Sequence, residues 1–323
     1  MGRRRKHHKN LPSRVYVSHG QYFFVDRTGK WNPLGRSMRE MYLNMARFYD
    51  DQSPLNTMAA LFNRYELTVL PKKAEKTQSE NSRSLKRLKA VFGEMAPRDV
   101  RPSDIYAYRD KRGRTTEIGA NRDLEVLSHV FTKSVEWGVA ETNPCRDVRK
   151  FSEPKRERYV TDAEYQAVYE LASPMMQVTM DLAVLTGLRR GDLLSLTRDH
   201  LVDDGILIKT SKTGKPLLIE WSDELSGVID RAKRIKPQVR RAIICNKQGK
   251  SYTGQGFSAM WQRLIRNAVE KKVIQERFRF HDLRAKSASD DTLEAATQRL
   301  GHMDAKLTER VYRRKPRRVK PLR

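Results

Sequence analysis

The sequence predicts a multidomain α+β chain: a small three-stranded sheet plus one helix, a helical domain, and a mostly α-helical domain with a small β-hairpin. Three observations point there. Strand-like runs broken by turn residues occupy residues 15–32. Apolar residues at helical spacing then run through residues 38–135. A second hairpin signature lies much later, amid further helical patterns. At 323 residues the chain is long enough for two or three domains of the usual ~100–150 residues, and it shows no internal repeat.

The elements follow in order. Val15–Val17, Gln21–Val25 and Lys30–Asn32 read as short strands, with Gly20 and Thr28-Gly29 turning the chain. Met38, Met41, Tyr42 and Met45 mark a helix to Tyr49, closing a domain over residues 1–50. Residues 51–152 read as four helices. Ser53-Pro54 supplies an N-cap and first-turn proline, followed by a face of Leu55, Met58, Leu61, Phe62 and Tyr65. Leu85, Leu88, Val91 and Phe92 form the next face, and Ile105 and Tyr108 lie on a short helix from Ser103. Leu124, Leu127, Val130, Phe131 and Val135 form the last, with His129 off the stripe as a surface residue. Ser152–Arg158 reads as an exposed, charged linker. In the third domain, residues 153–312, Ile206–Thr210 and Lys215–Ile219 flank the turn Ser211-Lys212-Thr213-Gly214. Residues 313–323 are basic and contain two prolines, which predicts a tail rather than a helix.

Composition narrows the function. Hydrophobic residues make up 38%, enough for cores, and no run of about 18 apolar residues exists to cross a bilayer. The basic N-terminus lacks the apolar stretch of a signal peptide. Cys145 and Cys245 are too few for a disulfide scaffold, which fits a reducing cytosol. Sixty-five Lys and Arg face 39 Asp and Glu, a net charge of +26 that a polyanion would relieve. Residues 1–50 and 305–323 each carry +8, so both ends are suited to phosphate.

Metal and nucleotide chemistry find no motif. The seven histidines show no zinc spacing, and Asp203-Asp204 and Asp290-Asp291 read as hydrated surface acids. His200 has no partner in sequence. There is no phosphate-binding GxxxxGK loop and no Gly-x-Ser-x-Gly elbow. What remains is a scattered cationic set ending in a tyrosine. Arg189 follows Thr186-Gly187-Leu188 at a helix start, and His281 and Arg284 lie three apart on one helical turn. His302 follows Leu300-Gly301, and Tyr312 is the only tyrosine after Tyr252. Singly, each has a bland reading. Arg189 could cap a helix or pair with Asp192, Lys212 could be an ordinary turn lysine replaceable by Lys209 or Lys215, and Tyr312 could pack or stack on bases.

In combination these motifs resemble the catalytic signature of the tyrosine recombinases, the phage-integrase family. Arg189 matches the family's first arginine, with Asp192 at its usual acidic position, and Lys212 matches the hairpin lysine. His281 and Arg284 match the His-x-x-Arg box, His302 the Leu-Gly-His box, and Tyr312 the nucleophile. The resemblance covers residues 160–312 well. It implies that residues 51–152 bind core-site DNA and that residues 1–50 form the arm-binding domain of lambda-type integrases. One departure stands out: Tyr312 lies ten positions after His302, one more than usual, which fits if Met303–Thr308 is loop and not if it is continuous helix.

The resemblance implies a mechanism without metal, ATP or other cofactor. Arg189 and Arg284 would hold the phosphate's nonbridging oxygens with forks that keep their charge. Tyr312 would attack phosphorus to give a 3′-phosphotyrosyl link, Lys212 would protonate the leaving 5′-oxygen, His281 would assist proton transfer and His302 would donate a hydrogen bond to the phosphate. Exchange through a Holliday junction in a tetramer would follow, integrating or excising phage DNA at attachment sites. The implied partners are duplex core and arm sites, further copies of the chain, and accessory proteins such as integration host factor and an excisionase-like protein, with no membrane, in the bacterial cytoplasm. Arg3, Arg4, Arg5, Lys6, Arg313 and Arg314 are the candidate DNA contacts outside the catalytic set. A type IB topoisomerase-like activity and a non-catalytic DNA-binding regulator are the alternatives.

Overall fold

Residues 1–153 and 154–323 form two separate units. The computed structural model describes residues 11–12, 14–26, 29–52, 56–212, 214–235 and 241–315, without the side chains of 46–52.

In the first unit, β1 (Val15–Ser18), β2 (Gln21–Val25) and β3 (Trp31–Gly35) form an antiparallel sheet in sequence order. Tyr16 pairs with Phe23 and Val25 with Trp31, and a bulge lies between Tyr22 and Phe23. Period-two alternation sends Val15, Phe24 and Leu34 to one face, where they bury against Met41 and Met45 of α1 (Met38–Gln52). Tyr16, Phe23 and Trp31 meet on the opposite, solvent-reached face, with ring centroids 5.6 and 5.7 Å apart. Glu40 caps α1 by accepting from Arg36 N at 2.8 Å.

The helical part is α2 (Met58–Thr68), α3 (Glu75–Phe92), α4 (Pro102–Gly113) and α5 (Glu117–Glu136). Met58, Leu61, Phe62, Tyr65, Leu85, Leu88, Phe92, Ile105, Tyr108, Leu124, Leu127, Val130 and Phe131 are all buried. Three expectations shift. The first helix starts at Met58 under a Thr57 cap, with residues 56–57 outside it; Ser53, Pro54 and Leu55 lie outside the described residues. Val91 and Val135 are exposed, because each continues its stripe on the solvent edge of its helix. His129 is half-buried, with Nδ1 2.5 Å from the Tyr65 hydroxyl, which also accepts from Lys73. At the centre, the fully buried Asp123 accepts from Arg87, Arg112 and the Tyr108 hydroxyl, tying α3, α4 and α5 together.

The second unit opens with α6 (Asp162–Glu170), α7 (Pro174–Thr186) and α8 (Arg190–Leu194). It continues through β4 (Leu201–Val202), β5 (Gly205–Lys209) and β6 (Pro216–Glu220), an antiparallel sheet in sequence order. The expected hairpin is therefore two strands of a three-stranded sheet, with Ile206 opposite Ile219 and Ile208 opposite Leu217. Then come α9 (Asp223–Ile235), α10 (Gly254–Glu270), α11 (Asp282–Ser289), α12 (Leu293–Arg299) and α13 (Ala305–Val311). Apolar residues on many sides of α7 (Met175, Met176, Val178, Met180, Leu182, Ala183) make it the buried centre of this unit.

The linker is less solvated than its charge suggests. Arg156 ion-pairs with the buried Asp282, and Arg158 pairs with Glu164 and Glu276. Asp290 and Asp291, expected as hydrated acids, are held by Lys286 and Arg299. His200 does have a local role, its Nδ1 accepting from Thr197 N at 3.0 Å. Both cysteines are free and buried. No helix among the described residues is long and apolar enough to cross a membrane.

Candidate active site

The site grows from α11. An aromatic cluster fixes the segment just before it: Phe280 stacks edge-on to Phe257 at 4.8 Å and to Trp261 at 5.2 Å, and the Trp261 indole donates to Phe278 O at 3.3 Å. His281 is the N-cap residue of α11, and Arg284 lies one turn on with only 2% of its surface exposed.

Burial forces the Arg284 guanidinium to find acceptors. It donates to Gly187 O, to Leu300 O at 2.9 Å and to His302 Nε2 at 3.2 Å. Gly187 ends α7 in the left-handed conformation, with φ of 61°, and a Cβ there would sit 2.8 Å from Leu300 Cδ2. Only glycine lets α7 stop and turn its carbonyl to Arg284 in so little room. Burial pushes the Arg284 pKa down to about 10, yet the group stays cationic at neutral pH.

Because guanidinium has no lone pair to offer, His302 Nε2 must be the acceptor of that bond. The ring proton therefore sits on Nδ1, which donates to the buried Thr308 Oγ1 at 2.8 Å. Desolvation, then Arg284, Arg189 and Lys212, push the His302 pKa down to about 4. His281 is lowered to about 4 as well, by desolvation first and then by Arg284, with Arg314 and Arg189 adding and Asp282 opposing. As a residue His281 is nonetheless exposed, so the ring is reachable from solvent. Both imidazoles are neutral at pH 7.

Tyr312 closes α13 as its C-cap residue and is 9% exposed. Its ring centroid lies 5.2 Å from that of His302 and 5.8 Å from that of His281, and the Arg284 guanidinium carbon sits 5.2 Å over the ring. The long spacing is absorbed by a mixed segment: Met303 and Asp304 are non-helical, and α13 begins only at Ala305, capped by Asp304. Neither all loop nor all helix, it still brings Tyr312 to both histidines.

Arg189 is the N-cap residue of α8, its side chain making no cap bond, and is half-buried. The buried Asp192 does not pair with it by any described hydrogen bond; Asp192 Oδ1 accepts from Ser211 N at 2.9 Å. That bond fastens the hairpin turn carrying the exposed Lys212, and Lys212 is near enough to His302 to depress its pKa. Lys215 is engaged with Met303 Sδ instead. Beside Arg189 and His281 opens a groove of about 920 Å³, also lined by Arg156, Arg190, Arg266, Arg277 and Arg279. Such a cationic trough fits a phosphate backbone.

The structure thus brings together Arg189, Lys212, His281, Arg284, His302 and Tyr312. Arg3, Arg4, Arg5 and Lys6 lie outside the described residues. Arg313 is exposed, but Arg314 is not placed as a free DNA contact: its side chain is 8% exposed and ion-paired with Asp282 at 2.8 Å. The sequence reading missed this pair, along with Ser289 and Thr308, because each acts through contacts between residues far apart in the chain.

Residues 158–317 match the model of the phage integrase family. The integrase of Escherichia phage HK022 is 27% identical over 319 residues, 89% of this chain and 88% of that protein. The integrase of Escherichia phage lambda is 29% identical over 247 residues, 68% of each chain. Among solved structures, a lambda integrase dimer bound to a COC′ core site has a TM-score of 0.70 at 23% identity, covering 97% of this chain and 99% of that one. A lambda integrase tetramer bound to a Holliday junction has a TM-score of 0.66 at 23% identity, covering 92% and 97%. These structural likenesses establish the fold.

Proposed function

We propose that this chain is a member of the phage integrase family, the tyrosine recombinases, and that it cuts and rejoins DNA at attachment sites with Tyr312 as nucleophile. The observation that carries the reading is the packing of the Tyr312 ring edge-on to His281 and tilted against His302, with the Arg284 guanidinium over it. A phosphodiester is a very slow electrophile, so the barrier falls mainly through charge placed on its nonbridging oxygens. Arg189 and Arg284 supply that charge.

The Tyr312 oxygen attacks phosphorus, its proton passes to His281, and the 5′-oxygen leaves with a proton from Lys212. With its pKa lowered to about 4 by burial, the His281 ring is already neutral and has a lone pair to accept the proton, though as a weaker base than a free imidazole. His302 plays a different part from the expected donor. In the free protein its Nε2 accepts from Arg284, so it orients the guanidinium; donation to the phosphate requires a second proton, which the phosphate's negative charge favours. The 3′-phosphotyrosyl link stores the bond energy for rejoining, by attack of a 5′-hydroxyl that expels the tyrosine.

The same family reading assigns residues 1–50 to arm-site DNA, 51–152 to core-site DNA and 153–312 to catalysis, with a tetramer acting on a Holliday junction in the bacterial cytoplasm. It rests on the DNA-bound lambda integrase structures of like fold and on the net charge of +26. Relaxation without exchange, or DNA binding without chemistry, are the alternatives that membership of this family does not favour. Incubating the protein with two labelled attachment-site duplexes tests it: recombinant product is expected, relaxation of supercoiled plasmid alone would point to a topoisomerase, and neither to a binding protein.

A further inference from the structure

The segment just after Tyr312 is bound down more heavily than a tail requires. Ser289 Oγ, 5% exposed at the end of α11, donates to Tyr312 O at 3.0 Å and accepts from Arg314 N at 2.8 Å. One hydroxyl thereby pins the carbonyl and the amide on either side of Arg313. Arg314 then reaches the other end of α11, where Nη1 donates to Asp282 Oδ1 at 2.8 Å and to Arg158 O at 3.2 Å.

Asp282 is 1% exposed and accepts from three sources besides Arg314: Arg156 Nε at 2.9 Å and Nη2 at 2.7 Å, and Arg279 N at 2.7 Å. A carboxylate so supplied with cations and an amide stays ionised, and two arginines compensate its burial. Further along, Lys315 Nζ donates to Asp290 Oδ1 at 3.0 Å. Both ends of α11 thus hold the chain that follows the tyrosine, and α11 is the helix that carries Arg284 and starts at His281.

We propose that Asp282, Ser289 and Arg314 form a clamp that docks Tyr312 in its own protomer's site before DNA arrives. The three are positioning residues, since none touches the reacting atoms. The physical reason is entropic. A tyrosine at the end of a short helix, followed by a basic segment, would otherwise sample many placements, and each cleavage event would bear the cost of finding the right one. Fixing the residues immediately after it removes that search. The clamp also explains why cationic Arg314 is withheld from phosphate: its charge is used against Asp282. This inference rests on Tyr312 being the nucleophile.

The test is single-turnover cleavage of a nicked core-site duplex that traps the covalent adduct, measured across DNA concentrations in the full chain. Arg314→Gln is expected to lower the saturating rate at least tenfold while leaving the half-saturating DNA concentration unchanged. Asp282→Asn alone should also slow cleavage, and the double variant should lose less than the product of the two single losses, because the two share one contact. Ser289→Ala, which spares the ion pair, should slow cleavage on its own, and Arg314→Lys should recover part of the loss. Unchanged saturating rates, a loss confined to half-saturation, or losses that multiply would overturn the clamp. Adduct formed by Tyr312→Phe would instead overturn the nucleophile assignment, so the two failures are distinct.

Discussion

Arg284 donates to His302 across 3.2 Å, and the imidazole is the acceptor. From this one bond follow the tautomer of His302, its bond to Thr308 and the neutral state of the ring. The cationic fork and its orienting histidine form one unit, built where α7 ends at Gly187 and α12 ends at Leu300.

Arg284→Lys should therefore lose most cleavage although the charge is kept, because one ammonium cannot serve Gly187 O, Leu300 O and His302 at once and still face the phosphate. A fall of about 10²-fold or more in single-turnover rate is expected, in the range seen for lost transition-state donors. Arg189→Lys should fall similarly. Rates within threefold of the parent would remove either arginine from the phosphate site.

Lys212→Ala should cleave poorly on ordinary duplex and recover on a substrate with a 5′-phosphorothiolate at the scissile bond, since sulfur leaves without a proton. The exposed hairpin turn tolerates the change structurally. Failure to recover would mean that another residue is the acid; Lys215, held at Met303, is the next to test.

The histidines predict an acid-side loss of stability. His281 and His302 have ordinary values near 6.5 when unfolded and are lowered to about 4 in the fold. Between these limits the unfolded chain binds more protons, so stability is complete above about pH 6.5 and falls as pH drops toward 4. The melting temperature of the parent should decline from pH 7 to pH 5, and His302→Gln should decline less. An equal slope in both proteins would contradict the neutral, desolvated His302.

In the helical part, Asp123→Ala should destabilise by about 1–3 kcal/mol, the usual cost of leaving a buried donor unsatisfied, because the Tyr108 hydroxyl is buried while the Arg87 and Arg112 side chains, 39% and 23% exposed, still reach water. Arg87, Arg112 and the Tyr108 hydroxyl all lose an acceptor. Denaturant unfolding checks this, and a change under about 1 kcal/mol would mean that water replaces the carboxylate.

Much of this was readable in the chain. The face of Met58, Leu61, Phe62 and Tyr65 repeats at helical spacing, and the ordered set from Arg189 to Tyr312 is dense with chemically distinctive residues. What could not be read depends on contacts between distant segments. His129 is off its stripe, yet Tyr65 from another helix reaches it. Arg314 has the composition of a tail, and only the folded position of Asp282 shows where its charge goes. Val91 and Val135 keep the helical period but lie past the edge of what a neighbour covers. Helix α2 starts at Met58 rather than at Ser53-Pro54 because Thr57 caps it by accepting from Ala60 N at 3.3 Å.

The central claim is that Tyr312 becomes covalently joined to DNA. The most direct measurement is to trap the adduct on a nicked core-site duplex, digest it, and locate the nucleotide-bearing peptide by mass spectrometry. The account predicts a 3′-phosphate linked to Tyr312, and no adduct from Tyr312→Phe despite duplex binding close to that of the parent. A nucleotide found on Tyr252 or any other residue, or adduct persisting in Tyr312→Phe, would contradict it.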